Sequence, residues 1–357
     1  MNRRRIGFCG GMDLKRKLPA GELAVCLFGI TCFILNIRSA LSGAAEGIEL
    51  CIRSVLPSLL PFMVLSAPVT ALLAGEKVPG CRSLCRLCGI PSGSEGLLLS
   101  GFLSGYPTGA RNAALACRNG SLNRKDAERM IGFCSNCGPA FLFGILRPVF
   151  PDIQYLWALW GICILSSLLT AAVLPGKSRS SAAAVSGHIP TLSESMRSAL
   201  PAAAAACGWI ILFKSMTAAV SDFIPKQLPE TVKVIFSGFT ELAGGCISLY
   251  KVPSVGLRFI LAACLLSFGG LCVLLQTKAV IGDLSIRGYL RGRLLAVLFA
   301  FLLSSTAQFM LIPPDERAAV PGFLTGLAAI LILLTAGGNI LLEIFRNAVY
   351  NRRKATT

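Results

Sequence analysis

The sequence predicts an all-α, polytopic membrane protein with about eight transmembrane helices and two re-entrant hairpins, arranged as two inverted repeats. Three observations support this prediction: the composition, the grouping of the charged residues, and a set of short motifs that occurs twice. Of the 357 residues, 54% are hydrophobic and 14% are charged, and the mean hydropathy is +0.70. Because a soluble domain carries about 25% charged residues, we expect lipid to solvate most of this chain.

Long uncharged runs separate short clusters of charge. A helix needs about 20 apolar residues to cross roughly 30 Å of hydrocarbon, and most of these runs are long enough. The uncharged runs are 54–75, 130–146, 153–176, 259–277, 294–314 and 318–342, with 18–37 interrupted by Glu22. The eight predicted spans are 18–40, 52–75, 128–147, 153–174, 197–221, 257–277, 293–312 and 318–345, and the hairpins are about 95–117 and 230–251.

These elements divide the chain into six segments. The segments are a basic cytoplasmic N-terminus (1–17), a first transmembrane helix (18–45), a first repeat (46–174), a polar linker (175–193), a second repeat (194–312), and a last transmembrane helix with a basic cytoplasmic tail (313–357). The basic N-terminus followed by a span-length apolar run predicts a retained signal-anchor rather than a cleaved signal.

Short motifs occur in the same order in both halves, at slowly drifting offsets. The pairs are Arg53-Ser-Val-Leu-Pro57 with Arg197-Ser-Ala-Leu-Pro201, Ser100-Gly-Phe102 with Ser237-Gly-Phe239, and Ser135-x-x-Gly138 with Ser267-x-x-Gly270. Three crossings separate equivalent points, so the second copy is predicted to be inverted. Inverted repeats with discontinuous helices are typical of secondary transporters.

The basic residues favour this topology. With the N-terminus in the cytoplasm, 25 of the 34 Lys and Arg fall in predicted inside segments and eight fall outside. If 95–117 crossed the membrane fully, the basic residues at 111–129 would lie outside, against the positive-inside rule. That rule also explains the net charge of +17, so we do not expect nucleic acid as a partner. Both termini are predicted to be cytoplasmic.

The stretch Ser100–Arg111 is the first candidate site. Three glycines and Pro107 make a continuous helix unfavourable, and backbone that leaves the helical pattern in a membrane must be buried or line a wet cavity. Two half-helix N-termini would then point free N–H groups at an anion. Helix packing through glycines spaced by four is the alternative. The predicted contacts are Ser104, Gly105, Tyr106, Pro107, Thr108, Gly109 and Arg111.

The second candidate is Cys134-Ser-Asn-Cys-Gly-Pro139, within the third span. Pro139 removes a backbone hydrogen bond, so the helix is expected to kink or unwind there. Ser135, Asn136, Gly138 and Pro139 are predicted at the site, because polar groups at membrane depth usually face a functional interior. A proline kink with a satisfied Asn136 is the alternative.

In the second half, Glu241 lies in the predicted hairpin and Lys214 lies within the fifth span. Both are substrate-binding candidates, and Glu241 is a candidate for a coupling ion, H⁺ or Na⁺. A structural Lys–Glu pair, or a snorkelling Lys214, is the alternative. The two Cys-x-x-Cys stretches lack a zinc-like partner pair, so no metal, no cofactor and no catalytic set is expected. The protein is not predicted to be an enzyme.

The segment SGFLSGYPTGAR, followed by CSNCGP, resembles sporulation integral membrane proteins of the YlbJ type, within the nucleoside-recognition Gate-domain superfamily. That superfamily also contains spore maturation proteins and is related to concentrative nucleoside transporters. The resemblance covers about residues 45–345. Members of the family carry an Asn-rich run before Gly-Pro, whereas Cys134, Ser135 and Cys137 flank one Asn here.

The resemblance implies a role in a membrane around the forespore and movement of dipicolinic acid, a small aromatic dianion, towards the spore. We therefore predict a permease for a small anion. A non-transporting scaffold for spore assembly and a nucleoside-type transporter are the alternatives. The expected partners are the anion, the lipid bilayer, and either a second copy of the chain or other sporulation membrane proteins.

Overall fold

The computed structural model of the protein describes residues 20–75, 85–86, 88–91, 93–176, 189–221 and 227–319. Every regular element in these ranges is helical, as the sequence predicted. The main helices are α1 (Ala20–Leu35), α2 (Ile37–Leu50), α3 (Leu56–Gly75), α4 (Glu95–Ser104), α5 (Thr108–Arg118), α6 (Arg124–Cys134), α7 (Pro139–Leu146), α8 (Ile153–Val173), α9 (Leu192–Ser221), α10 (Glu230–Thr240), α11 (Leu242–Ser248), α12 (Val255–Phe268), α13 (Gly270–Ile281) and α14 (Arg287–Leu311).

Six helices in the described ranges are long and apolar enough to cross a membrane, which confirms the polytopic α-helical fold class. They are Ile37–Val69, Arg124–Leu146, Ile153–Val173, Leu192–Ser221, Val255–Ile281 and Arg287–Leu311. The predicted eighth span at 318–345, the N-terminal segment 1–17 and most of the linker at 175–193 lie outside the described residues.

The first two predicted spans are joined differently from the prediction. After a break at Asn36, helix runs without interruption from 37 to 75, through a π-helical turn at Cys51–Val55. This helix is about 58 Å long, nearly twice the thickness of the hydrocarbon core, so the segment predicted as a connecting loop is helical. The π turn immediately precedes Pro57, which has no N–H to continue the regular ladder.

Helix α2 packs on α9 through small residues. A Cβ on Gly43 would lie 2.6 Å from the carbonyl oxygen of Lys214, and one on Gly47 would lie 2.9 Å from the Cα of Ile211. Asn36 Nδ2 donates to the Ala219 carbonyl at 2.8 Å at one end of this contact. Backbones can approach this closely because the interface lacks side chains.

Each half contains one hairpin and one broken span. In hairpin 1, α4 and α5 are joined by residues 105–107; in hairpin 2, α10 and α11 are joined at Glu241, and a 3₁₀ turn, Leu249–Lys251, follows. The third span is α6 and α7, interrupted at 135–138, and the sixth span is α12 and α13, interrupted at Gly269, whose φ is +89°. The breaks of these two spans both lie in the shared Ser-x-x-Gly motif, Ser135–Gly138 and Ser267–Gly270.

Hairpin 1 rests on the break of the third span. A Cβ on Gly101 or Gly109 would lie 2.0 or 1.9 Å from the Cys134 carbonyl oxygen, so the two hairpin arms enclose that carbonyl. At the tip, a Cβ on Gly138 would lie 2.9 Å from the Cα of Gly105. The glycines therefore provide close packing as well as a helix break, and the anion site at this segment stays a prediction.

Hairpin 2 rests on the break of the sixth span in the same way. A Cβ on Gly245 would lie 2.1 Å from the Cα of Gly238, so the two arms of the hairpin touch. A Cβ on Gly270 would lie 3.0 Å from the Gly238 carbonyl oxygen and 3.3 Å from the Leu242 nitrogen. The two halves thus bring two helix breaks each to the middle of the fold.

Candidate functional site

The two hairpin tips and the breaks of the third and sixth spans meet at a central cavity of about 50 Å³. Its polar lining comes from Ser104, Tyr106, Glu241 and Gln276, and apolar side chains from α3, α7 and α9 complete the wall. A water molecule needs about 10–15 Å³ of such volume, so this cavity has room for a few waters. The structure describes a state in which the centre is nearly closed.

A second, more open cavity of about 410 Å³ lies beside hairpin 1. Thr108, Arg111 and Asn112 of α5 line it, together with residues of α3 and the start of α9. This volume is in the range of small-molecule sites. Ser104 lines both cavities, and its hydroxyl is buried without a hydrogen-bond partner. Ser104 therefore stands between the central cavity and the open cavity.

Tyr106 connects hairpin 1 to the second half of the protein. Its hydroxyl donates to the Leu266 carbonyl at 2.6 Å, and its ring lies against Gly269. Arg293 Nη1 donates to the same hydroxyl at 3.4 Å. The ring also lines the central cavity, so Tyr106 joins the cavity to the sixth span and to α14.

Asn136 and Ser135 lie in the break of the third span, buried behind the cavity wall. Asn136 Nδ2 donates to the Phe133 carbonyl at 2.8 Å, while its Oδ1 accepts from Ser167 Oγ and from Arg293. Asn136 is therefore satisfied within the protein and faces Arg293. The Ser135 hydroxyl is buried and has no hydrogen-bond partner.

Arg293 is the functional candidate that the sequence analysis missed. It is 1% exposed, and it donates to the carbonyls of Ser267 and Gly132 at 3.1 and 3.0 Å and to Asn136 Oδ1 at 3.4 and 3.5 Å. In the part of the chain that the structure describes, no carboxylate oxygen lies within 4.0 Å of its guanidinium. Arg293 is the first residue of the predicted span 293–312, at its cytoplasmic end, but the helix α14 begins at Arg287.

The signal that identifies Arg293 is its position beside a glycine pair. A Cβ on Gly288 would lie 2.3 Å from the Glu128 carbonyl oxygen, and one on Gly292 would lie 2.0 Å from that of Gly132. Glycines spaced by four form a close helix contact, so α14 presses against α6. This contact places Arg293, the residue after Gly292, beside the break of the third span.

Glu241 forms the tip of hairpin 2 and is 3% exposed. Its carboxylate accepts from the N–H groups of Ala243 and Gly244, both at 2.6 Å. Glu241 therefore occupies the N–H groups at the start of α11. The helix start in hairpin 1 has no such acidic cap.

Lys214 lies near Glu241, as predicted, although its ion pair is with another residue. A Cβ on Gly244 would lie 2.8 Å from Lys214 Nζ and 2.9 Å from Glu241 Oε2. Lys214 Nζ lies 4.0 Å from Glu46 Oε2 on α2. Lys214 therefore stands between an exposed carboxylate and a buried one.

The remaining predicted residues support these two cavities. Pro107 precedes α5, Pro139 begins α7, and Gly105 and Gly138 line the central cavity. Gly109 packs closely against the Cys134 carbonyl, where a larger residue would not fit. Within the described ranges, no group of three or more His, Cys, Asp or Glu residues is placed to hold a metal ion.

A comparison with known proteins finds one similar to part of this chain. It is the sporulation integral membrane protein YlbJ of Bacillus subtilis (strain 168), 29% identical over 127 residues. The match covers 33% of this chain and spans 29% of that protein, less than a third of its length. No protein-family model and no solved structure matches. The chain is thus a multi-pass α-helical membrane protein similar to sporulation integral membrane proteins of the YlbJ type.

Proposed function

We propose that this protein is a membrane permease that moves a small anion during sporulation, with dipicolinic acid as the substrate. The similarity to YlbJ supports a sporulation role in a membrane. One observation carries the transport proposal: two hairpin tips and two helix breaks surround a central cavity that Ser104 separates from a larger, more open one. Secondary transporters place their sites at discontinuous helices of this kind.

The charge around hairpin 1 supports an anionic substrate. Arg111 lines the open cavity, and Arg293 lies behind Tyr106 at the central one. The N-terminus of α5 points a helix dipole towards the same region, which favours negative charge. Tyr106 also offers an aromatic surface, and a planar pyridine dicarboxylate would use both its ring and its charges there.

The central cavity is too small for this substrate in the structure described, so transport requires the hairpins to move. We propose that substrate enters the open cavity, passes Ser104, and is held while one hairpin shifts against its span. By the predicted topology, the open cavity lies on the cytoplasmic side. A membrane around the forespore is the proposed location.

Glu241 and Lys214 are the proposed coupling site for H⁺ or Na⁺. Burying an ionisable group at membrane depth costs free energy, and such groups usually take part in ion or substrate binding. Glu241 lines the central cavity together with Ser104 and Tyr106 of hairpin 1, so a cation bound at Glu241 would attract an anion in that cavity. The expected dependence on a gradient follows from this placement.

Uptake of labelled dipicolinate by vesicles that contain the purified protein tests the proposal. We expect saturable uptake that rises when a proton or sodium gradient is imposed. Asn136→Ala, which removes the acceptor shared by Ser167 and Arg293, should reduce uptake at least tenfold at equal protein levels. Gly208→Ala is a matched control, since a Cβ there meets nothing within 4 Å.

Three outcomes separate this proposal from the other functions. Absence of uptake with intact folded protein would contradict transport of dipicolinate. Tolerance of substitutions at Asn136 and Tyr106 in spores, combined with sensitivity of surface loops, would favour a scaffold. Uptake of labelled uridine in preference to dipicolinate would favour a nucleoside-type transporter.

A further inference from the structure

The guanidinium of Arg293 is a buried positive charge held by neutral groups. Its partners are the Gly132 and Ser267 carbonyls, Asn136 Oδ1 and the Tyr106 hydroxyl, and its Nε has no hydrogen-bond partner. Buried charges are normally paired with an opposite charge. The charge of Arg293 is therefore solvated by the protein but left without a counter-ion among the described residues.

A second buried arginine, Arg129, differs from Arg293 in its location in the fold. Arg129 is also buried, and it donates to the carbonyls of Cys88, Gly89 and Ala171. A buried guanidinium is thus held in this fold by carbonyls together with the Phe133 ring, 5.3 Å away, and the nearby Asp126 side chain. Arg129, however, touches neither a helix break nor a hairpin tip, whereas Arg293 touches the breaks of both spans and the tip of hairpin 1.

The field of Arg293 reaches the central cavity through one side chain. Tyr106 lines that cavity and its hydroxyl lies 3.4 Å from Arg293 Nη1. Charges interact several times more strongly in a protein interior than in water. Glu241 lies on the cavity wall as well, but its carboxylate is partly offset by two N–H groups at 2.6 Å and by nearby Lys214. Arg293 and Lys214 thus set two positive charges near the cavity against the one carboxylate of Glu241 on its wall.

We infer that Arg293 is the fixed positive charge that makes this site select carboxylates, and that Tyr106 and Asn136 hold it in place. This inference rests on the proposed permease function and names its specificity residue. When substrate contacts displace the Tyr106 hydroxyl, a carboxylate takes the place of a neutral acceptor at the guanidinium. Arginine is suited to this exchange because its planar donors match a carboxylate in pairs.

Selectivity is the measurement that separates this role from a structural one. We would prepare Arg293→Gln and Arg293→Lys, and measure binding of dipicolinate and of its uncharged diamide to purified protein by thermal stabilisation. Both variants should weaken dipicolinate binding, Arg293→Gln by at least tenfold, while diamide binding changes by less than twofold. Arg291→Gln is the matched control: the same helix, the same charge change, and an exposed side chain.

These measurements separate a failure of the inference about Arg293 from a failure of the proposed permease function. If the wild type transports dipicolinate and Arg293→Gln keeps the wild-type ratio of dipicolinate to diamide affinity, the inference is overturned and the permease stands. If the wild type binds but does not transport, the permease fails and loss of binding in Arg293→Gln still supports the inference. If the wild type does neither, both are overturned. Should Arg293→Gln not fold, the ratio in Arg293→Lys decides.

Discussion

The two hairpins share a backbone plan and differ in charge. In each, two short helices touch through glycines and rest on the break of a span. Hairpin 1 turns through Gly105, Tyr106 and Pro107, and its tip is lined by hydroxyl groups with two arginines nearby. Hairpin 2 turns at Glu241, whose carboxylate caps its own helix.

Under the proposed function, this difference divides the work between the two hairpins. The open helix start and the cations of hairpin 1 suit an anion, whereas the buried carboxylate of hairpin 2 suits a cation. Ser104 and Glu241 are equivalent positions by the offset of the shared Ser-Gly-Phe motif, so hairpin 1 has a hydroxyl group where hairpin 2 has a carboxylate.

The largest effect is expected where the common backbone plan is broken. Gly109→Ala would place a Cβ 1.9 Å from the Cys134 carbonyl, and Gly245→Ala would place one 2.1 Å from the Gly238 Cα. Because backbone must shift in both cases, we expect each to cost at least about 1–3 kcal/mol and to lower the amount of folded protein in the membrane. Thermal unfolding in detergent measures this.

Gly161→Ala on α8 is the control for both hairpins, since a Cβ there meets nothing within 4 Å. We expect it to be neutral or to stabilise the helix by about 0.5–1 kcal/mol. If one hairpin variant were as stable as this control while the other unfolded, the two hairpins would not share one packing plan.

The next effect is expected at Glu241. Glu241→Gln keeps the size of the side chain but replaces one carboxylate oxygen with an N–H donor that faces the N–H of Ala243 or Gly244. We expect the gradient-driven part of uptake to fall at least tenfold, while gradient-independent exchange of dipicolinate across the vesicle membrane persists. A comparison of driven uptake and exchange in the same vesicles measures it; equal loss of both would remove the proposed division of work between the hairpins.

Sequence patterns were sufficient for the helical elements because these depend on local chemistry. Pro107 and Pro139 each remove a backbone hydrogen bond next to glycines, so the breaks at 105–107 and 135–138 were predictable, although Pro61 and Pro68 are accommodated within α3. The bounds of both hairpins also agree with the structure to within a residue. The continuous helix at 37–75 was missed, because its polar segment resembles a loop when its contact with α9 is unknown.

The partners of the site residues could not be predicted, because they come from distant parts of the chain. Arg293 approaches Asn136 across 157 residues of sequence, and the contact depends on the glycine crossing of α14 with α6. Basic residues near the end of a span usually indicate a cytoplasmic loop, and here that rule concealed a buried charge. The neighbours of Glu241 were partly predictable, since Lys214 is the basic residue that the predicted topology places within a span rather than in a loop.

The smallest effect is expected from substitution of Arg111, which tests whether the positive charge beside hairpin 1 attracts the anion. Its side chain is exposed and lines the open cavity, so it attracts an anion through solvent, where salt screens charges beyond about 10 Å at 0.1 M. Arg111→Gln should therefore reduce the initial rate of dipicolinate uptake about two- to fivefold at low ionic strength, with little change at high salt.

Arg118→Gln is the control for Arg111, because it removes the same charge from the same helix at a position outside the lining of the open cavity. Initial uptake rates at several salt concentrations distinguish the two variants. A salt-independent loss in Arg111→Gln would mean that Arg111 contacts the substrate directly, and the anion site would then extend from the central cavity to the mouth. Equal rates for Arg111→Gln and Arg118→Gln at low salt would show that the open cavity is not the path by which the anion reaches hairpin 1.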